Sequence, residues 1–192
     1  MLLSLRVPGD GAIQRALSQD GGAELTYADV GATVRDERPG GYRHDRWEVD
    51  LGPDEGDRFE RCGEAVLGWA AQRGAGIRIV PDQPVAPNLT FALVLRLPVG
   101  FVLATARVVH VVKSDECIGF AYGTLPSHPE EGEEIFLVRR LDGRVIFEVA
   151  AFSRPRDLLA RLGAPITRWL QLRTNRTYLD ALRQVARSTA GP

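Results

Sequence analysis

The chain has 192 residues, a net charge of −1, 44% hydrophobic residues and 26% charged residues. This length suits one domain, and the composition is that of an ordinary globular protein. A net charge so close to zero gives no electrostatic reason to expect nucleic acid or a membrane as partner, and we predict no nucleic-acid binding. No apolar run approaches about 18 residues, so the sequence predicts no membrane span.

Cysteine usage indicates the compartment. The two cysteines, Cys62 and Cys117, make no disulfide framework and lack the spacing of metal ligands. We interpret them as buried thiols of a reducing, cytoplasmic environment, and residues 1–8 are too short a run to be a signal peptide. No metal and no cofactor is predicted.

The chain divides into three parts in the sequence. Residues 1–26 are interpreted as a peripheral segment with a short helix from Gly11 to Asp20. Residues 27–187 are predicted to form a single domain, and residues 188–192 a flexible tail.

A strand and a helix precede a series of β-compatible segments. Residues 47–51 alternate apolar and acidic side chains, which is typical of a half-buried strand. Apolar residues at helical spacing predict a helix from Asp57 to about Arg73, with Asp57 and Glu60 as its capping box. Further strands are predicted at 77–80, 91–97, 101–112, 117–125, 135–140 and 145–153. Their short connections make consecutive strands antiparallel neighbours.

The C-terminal part is predicted to be helical. Residues 156–162 predict a short helix, Gly163 a break, and residues 166–187 a long amphipathic helix. A sheet with one buried face needs a cover, and this helix is the available one. We therefore predict an α+β fold in which a curved antiparallel sheet of about six to seven strands grips the C-terminal helix.

Five motifs resemble a family of unknown function found in bacteria and plants. They are Tyr27-x-x-Val30-Gly31, Arg107-Val108-Val109, the segment from Gly119 to Glu134, Ala151-Phe152-Ser153-Arg154-Pro155, and Gln171…Tyr178. The similarity covers roughly residues 27–187. The order of elements also resembles the helix-grip fold of START-like, polyketide-cyclase-like (SRPBCC) proteins. This resemblance implies a fold that binds small molecules, and it supplies no established activity.

The strand predicted at residues 117–125 indicates a pocket. Gly119, Ala121 and Gly123 point to one face of this strand, whereas Tyr122 points to the other. The missing side chains would open a pocket under the C-terminal helix, and close packing of helix on sheet is the alternative. These four residues are predicted to bind a ligand.

The turn that follows this strand is acidic. It carries His128, Glu130, Glu131, Glu133 and Glu134. A histidine near carboxylates can shuttle protons, although the spacing is not that of a zinc motif. Ion pairing with the basic C-terminal helix and a solvated hairpin tip are the alternatives. At most one of Glu133 and Glu134 faces a site, because neighbours on a strand point to opposite faces. The catalytic candidates are His128, Glu130 and Glu134.

Two further residues are predicted to bind the ligand, Arg107 and Tyr178. Arg107 lies among apolar strand neighbours, where an unpaired charge is costly. An internal partner such as Glu148 would satisfy it, and so would a carboxylate or phosphate of a ligand. Tyr178, on the inner stripe of the last helix, would contact a bound molecule or bond to the sheet.

The junction between the last strand and the helices has a structural interpretation. Ser153 is predicted to cap the helix that follows. Arg154 then lies near a helix N-terminus, where a cation is unfavourable. An acid such as Glu130 or Glu134 is expected to compensate it.

Together these patterns favour non-covalent binding of a small, partly apolar or lipid-like molecule between sheet and helix. The alternative is an enzyme with cyclase- or hydratase-like acid–base chemistry through His128 and a nearby Glu. A third hypothesis is a protein-interaction module that uses the acidic hairpin. The chain has no Gly-x-Ser-x-Gly elbow and no glycine-rich phosphate loop. The sequence predicts neither the ligand nor the oligomeric state.

Overall fold

A computed structural model describes the backbone of residues 2–156 and 164–188, and the side chains of residues 4–156 and 174–188. In chain order the elements are β1 (Leu2–Ser4), α1 (Asp10–Asp20), β2 (Arg43–Pro53), α2 (Arg58–Leu67), α3 (Ala70–Gly74), β3 (Arg78–Val80), β4 (Thr90–Arg96), β5 (Phe101–Lys113), β6 (Cys117–Thr124), β7 (Glu130–Leu141), β8 (Arg144–Pro155) and α4 (Ala164–Arg187). The short helix predicted at 156–162 lies almost wholly outside the described residues.

The strands form one antiparallel sheet. Seven of them follow the order β2-β8-β7-β6-β5-β4-β3, and β1 pairs with β5 beside this path. The sheet is curved, and the C-terminal helix α4 packs against β2 and β8 as well as against α2 and α3. The predicted α+β fold, with an antiparallel sheet gripping a C-terminal helix, is therefore confirmed.

The main core lies between the sheet and these helices. Alternate residues of each strand point into it, as the period of two requires. Its largest fully buried members are aromatic, and they come from α2, the residue that precedes α3 and four strands: Phe59, Trp69, Phe91, Phe120, Phe136 and Phe147. From α4, Leu182 is fully buried against this cluster. We call this side of the sheet the inner face.

The opposite side, the outer face, has its own covers. Helix α1 packs Ile13 and Ala16 against Ala92, Val94 and Leu103 of β4 and β5. The chain from residue 27 to residue 37 lies over the other half of this face. Both faces of the central strands are consequently buried, which explains why β6 is apolar along its length.

The predicted helix from Asp57 to Arg73 is interrupted. Helix α2 ends at Leu67, and Trp69 adopts a left-handed backbone conformation with φ of 65°. This turn places the Trp69 ring in the core, where its indole Nε1 donates a hydrogen bond to the carbonyl of Gln83 at 2.8 Å. The predicted capping box is wrong, because Asp57 makes no side-chain cap bond and pairs with Arg61 instead.

The last two strands are longer than predicted. Strand β7 begins at Glu130, which lies opposite Pro155 at the end of β8. Ser153 is therefore a strand residue between Gly132 and Arg43, and its predicted role as a helix cap is wrong. Pairing with two neighbouring strands outweighs the local turn signals of this segment, and Gly132 accommodates it with φ of 145°.

Candidate functional site

A carboxyl group and a phenol meet on the inner face. Glu134 of β7 lies opposite Tyr122 of β6, and the Tyr122 hydroxyl donates a hydrogen bond to Glu134 Oε2. Tyr122 is buried and Glu134 partly buried. The same row of the sheet continues through Ala151 to Asp45 at the edge strand β2. The predicted divergence of Glu133 and Glu134 to opposite faces is confirmed.

Aromatic rings enclose this pair on the side of the core. The Tyr122 ring lies 5.4 Å from Phe91 and 6.0 Å from Phe136, measured between centroids. Tyr178 of α4 packs edge-on against Phe136 at 5.3 Å. The structure thus brings together three of the predicted residues: Tyr122, Glu134 and Tyr178.

Burial controls the protonation of these groups. It raises the pKa of Glu134 to about 7, although the hydrogen bond from Tyr122 acts in the opposite direction. The carboxylates of Glu130 and Asp45 raise it further by repulsion. Burial also raises the pKa of both Tyr122 and Tyr178 well above the usual value. At neutral pH the site therefore holds two neutral phenols and a carboxyl group that exchanges its proton.

An unpartnered donor lies in the next row of the inner face. Trp47 of β2 is in the row of Val149 and Phe136, and it packs against the main core. Its indole Nε1 is buried and has no hydrogen-bond partner among the described residues. Buried polar atoms are almost always partnered by protein or water. Trp47 was not predicted as a site residue, because alternation predicts its face but not the surroundings of its nitrogen.

The small residues of β6 face away from the helix. Ala121 packs with Ile135 and Ala150 in a cluster on the outer face, separate from the main core. A Cβ atom at Gly123 would collide with the Tyr27 hydroxyl, and one at Gly119 would collide with the backbone of β7. The prediction that Gly119, Ala121 and Gly123 open a pocket under the C-terminal helix is therefore wrong, because their face is covered by the segment from residue 27.

Gly123 is expected to be needed for packing. We predict that Gly123→Ala destabilises the protein by about 1–3 kcal/mol, because the new methyl group displaces Tyr27. Gly40→Ala is the matched control, since a Cβ at Gly40 meets nothing within 4 Å. Urea unfolding of both variants measures the difference. Equal stability of the two variants would contradict the close contact between Gly123 and Tyr27.

Arg107 holds the end of α1. Its guanidinium donates to Thr90 Oγ1 at 3.1 Å, to the carbonyl of Ala23 at 3.0 Å and to that of Gly21 at 2.9 Å. The predicted partner Glu148 pairs instead with Arg139 at 2.5 Å and with Arg46 at 3.5 Å. That pairing prediction is wrong, and the structure places Arg107 apart from the Tyr122 and Glu134 pair.

His128 is engaged by the turn itself. Its Nδ1 accepts a hydrogen bond from the backbone N–H of Glu130 at 3.1 Å. Burial lowers the His128 pKa to about 4, so the ring is neutral at physiological pH. Among the described residues, no carboxylate oxygen lies within hydrogen-bond distance of the His128 ring. The predicted pairing of His128 with a Glu side chain is not present there.

The glutamates of the hairpin are occupied within the protein. Glu131 pairs with Arg154, so the compensating acid of Arg154 is neither Glu130 nor Glu134. Glu130 lies 4.0 Å from Arg43, and its side chain is only 13% exposed. Glu133 is buried and accepts hydrogen bonds from the segment that covers the outer face. The interpretation of this hairpin as a solvated acidic tip is wrong.

A shallow depression lies on the outer face. It has a volume of about 390 Å³, including space open to solvent, and it is lined by polar groups such as Asp36, His44 and Arg46. These groups satisfy one another, because Arg46 pairs with Asp36 and His44 Nε2 contacts the Pro39 carbonyl at 3.0 Å. The depression therefore offers a weaker case for ligand binding than the inner face.

The described part of the chain shows neither a cluster of metal-ligating side chains nor a helix that could span a membrane. No three or more His, Cys, Asp or Glu side chains within it are grouped to hold a metal ion. None of its helices combines the length and apolar character needed to cross a bilayer.

Solved structures establish the fold. A hypothetical protein of Helicobacter pylori superposes with a TM-score of 0.57 at 14% identity, covering 85% of this chain and 96% of that one. The Zhui aromatase/cyclase from Streptomyces sp. R1128 gives a TM-score of 0.56 at 14% identity, with 76% and 93% covered. Ara h 8.0201 gives 0.53 at 10% identity, with 78% and 100% covered.

Sequence comparisons establish the family. UPF0548 proteins align at 32% identity over 121 residues in Dictyostelium discoideum (56% of this chain, 54% of that protein) and at 39% over 85 residues in Deinococcus radiodurans (44% and 43%). The alignments thus span about half the length of these relatives. Residues 26–181 match the domain of unknown function DUF1990. The chain therefore belongs to the DUF1990 family, and its fold is that of START-like, polyketide-cyclase-like proteins.

Proposed function

We propose that the protein binds a small, partly apolar molecule between the inner face of the sheet and helix α4. The observation that carries this proposal is the buried indole Nε1 of Trp47, which lies one row from the Tyr122 and Glu134 pair and has no hydrogen-bond partner in the part of the chain whose side chains are described. A buried donor without a partner costs about 1–3 kcal/mol relative to a satisfied one. A ligand with a hydrogen-bond acceptor opposite Trp47 would recover that free energy.

The chemistry of the inner face indicates the class of ligand. Aromatic rings such as Phe91 and Phe136 supply apolar contact area. Tyr122, Glu134 and Tyr178 supply a few polar groups that orient a bound molecule, which is the composition of a small-molecule site. We infer a ligand with an apolar body that carries at least one carbonyl or hydroxyl oxygen.

Native mass spectrometry of protein as purified tests the proposal. We expect a mass excess of one small molecule, which organic extraction removes. Trp47→Phe and Tyr122→Phe each delete one polar group, and each should weaken rebinding of the extracted molecule about fivefold to tenfold. Tyr42→Phe, on the outer face beside Phe152, is the matched control and should leave rebinding unchanged.

The proposal fails if the measured mass equals that of the chain alone and a panel of apolar carbonyl and hydroxyl compounds gives no adduct.

Acid–base catalysis at the same place is the second candidate, and the Glu134 pKa of about 7 favours it. Under this hypothesis the proton is transferred by Glu134, which is hydrogen-bonded to Tyr122, and not by His128. The extracted molecule is incubated with fresh protein and analysed for conversion. Conversion that Glu134→Gln abolishes while the mass excess persists would support an enzyme, and recovery of the unchanged molecule would support binding alone.

A further inference from the structure

Exposed apolar side chains cluster at one place on the surface. Leu5, Val7 and Val99 are 82%, 60% and 74% exposed. They belong to two adjacent segments, residues 4–8 and 96–101, which we call the apolar tip. The segments touch, because a Cβ at Gly100 would stand 3.4 Å from the Cα of Leu5. The other exposed large hydrophobic residues of the described chain, Val30 and Leu141, belong to neither segment.

The apolar tip is basic. It contains two exposed arginines, Arg6 and Arg96, and no acidic residue. Neither guanidinium forms an ion pair among the described residues, whereas the nearby Arg78 is paired with Asp10. Within the described chain, these two arginines are therefore free to contact a partner beside the exposed apolar side chains. A membrane with anionic headgroups offers such a partner, because negative charges lie at its surface and hydrocarbon lies beneath them.

The shape and position of the tip point to a surface and not to a peptide. The segment 96–101 is a turn between two paired strands, so it projects and forms no groove. Successive turns of an antiparallel sheet alternate between its two ends. The turn between β4 and β5 therefore lies at the same end as the turn between β6 and β7, from which Glu134 is only a few residues distant.

We propose that the apolar tip docks on an anionic lipid surface, with Leu5, Val7 and Val99 entering the interface and Arg6 and Arg96 contacting lipid phosphate or carboxylate groups. The apolar side chains contribute the free energy of transfer from water into the interface, and the arginines contribute electrostatic attraction to anionic lipids. Neither contribution is strong alone. The docked protein presents the end of the sheet nearest Glu134 to the membrane. This inference goes beyond ligand binding and does not depend on it.

Sedimentation of the full chain with vesicles tests the docking. We expect binding to phosphatidylcholine vesicles that contain about 30% phosphatidylserine, and binding that weakens with added salt. Arg6→Ala and Arg96→Ala should each lower the partition coefficient between water and vesicles about fivefold. Arg6→Lys and Arg96→Lys keep the positive charge and should bind like the wild type. Leu5→Ser combined with Val99→Ser should lower it at least as much.

Matched controls distinguish docking through the apolar tip from nonspecific hydrophobic adsorption to vesicles. Val30→Ser and Leu141→Ser remove exposed apolar side chains elsewhere and should leave vesicle binding unchanged. Equal binding to pure phosphatidylcholine, or no loss on removing both arginines, would overturn the proposal. It would also be overturned if the protein sedimented as a dimer without vesicles and Leu5→Ser with Val99→Ser made it monomeric, since a second copy would then cover the tip.

Discussion

Glu133→Ala is expected to destabilise the protein by about 4 kcal/mol. The Glu133 carboxylate is 2% exposed and accepts hydrogen bonds from the Tyr27 hydroxyl at 2.7 Å and from the backbone N–H groups of Gly31 at 2.7 Å and Thr33 at 3.0 Å. The Thr33 hydroxyl is a further donor. Removing the carboxylate leaves all four donors without their partner and detaches the segment that covers the outer face.

Denaturant unfolding measures this loss, and Glu116→Gln is the matched control because Glu116 is an exposed glutamate. We also expect faster amide hydrogen exchange at Gly31 and Thr33 in the Glu133 variant. If Glu133→Ala proved as stable as Glu116→Gln, Glu133 would not anchor this segment.

Glu134→Gln is expected to change how stability depends on pH. The pKa of Glu134 is about 7 in the folded protein and near 4.5 when unfolded. Between pH 4.5 and pH 7 the folded state holds a proton that the unfolded state has lost. The contribution of Glu134 to the free energy of unfolding is therefore complete below pH 4.5 and disappears as the pH rises through 7. Because of Glu134, the free energy of unfolding of the wild type should fall by about 3 kcal/mol by pH 8. The Glu134→Gln variant has no carboxyl group to titrate at this position, so its stability should not show this fall.

The measurement is the difference in unfolding free energy between variant and wild type. It should shift by about 3 kcal/mol in favour of Glu134→Gln between pH 4.5 and pH 8. His128 acts in the opposite direction, because its folded pKa of about 4 lies below the usual 6.5 and stability falls as acid protonates the unfolded chain. That effect is present in both proteins and cancels. Parallel pH curves for the two proteins would contradict a raised pKa for Glu134.

The fold follows from patterns that are local in the sequence. Alternation along residues 47–51 and the β-compatible segments that follow predicted strands, and short connections predicted their antiparallel order. A sheet with one apolar face and one long amphipathic helix then leaves few arrangements. The break at Trp69 was not predicted, because its left-handed backbone is stabilised by contacts with residues distant in sequence.

The candidate site was predicted only in part, and the reason is the orientation of β6. Alternation separates Gly119, Ala121 and Gly123 from Phe120 and Tyr122, but it does not say which set faces the helix. Absent side chains suggested space, whereas the structure fills that face with Tyr27 and its neighbours. Arg107 bonds to Ala23 and Glu148 pairs with Arg46, and both partners are distant in sequence, so no local pattern indicates them.

The most direct test of ligand binding on the inner face is the indole N–H signal of Trp47 in a ¹⁵N–¹H spectrum, assigned with Trp47→Phe. Spectra are recorded for protein as purified and after organic extraction of bound molecules. We expect the Trp47 signal to shift on extraction and to return when the extract is added back. The Trp69 signal is the internal control, because its N–H is already bonded to Gln83. A Trp47 signal that is identical in all three samples would contradict a ligand at this position.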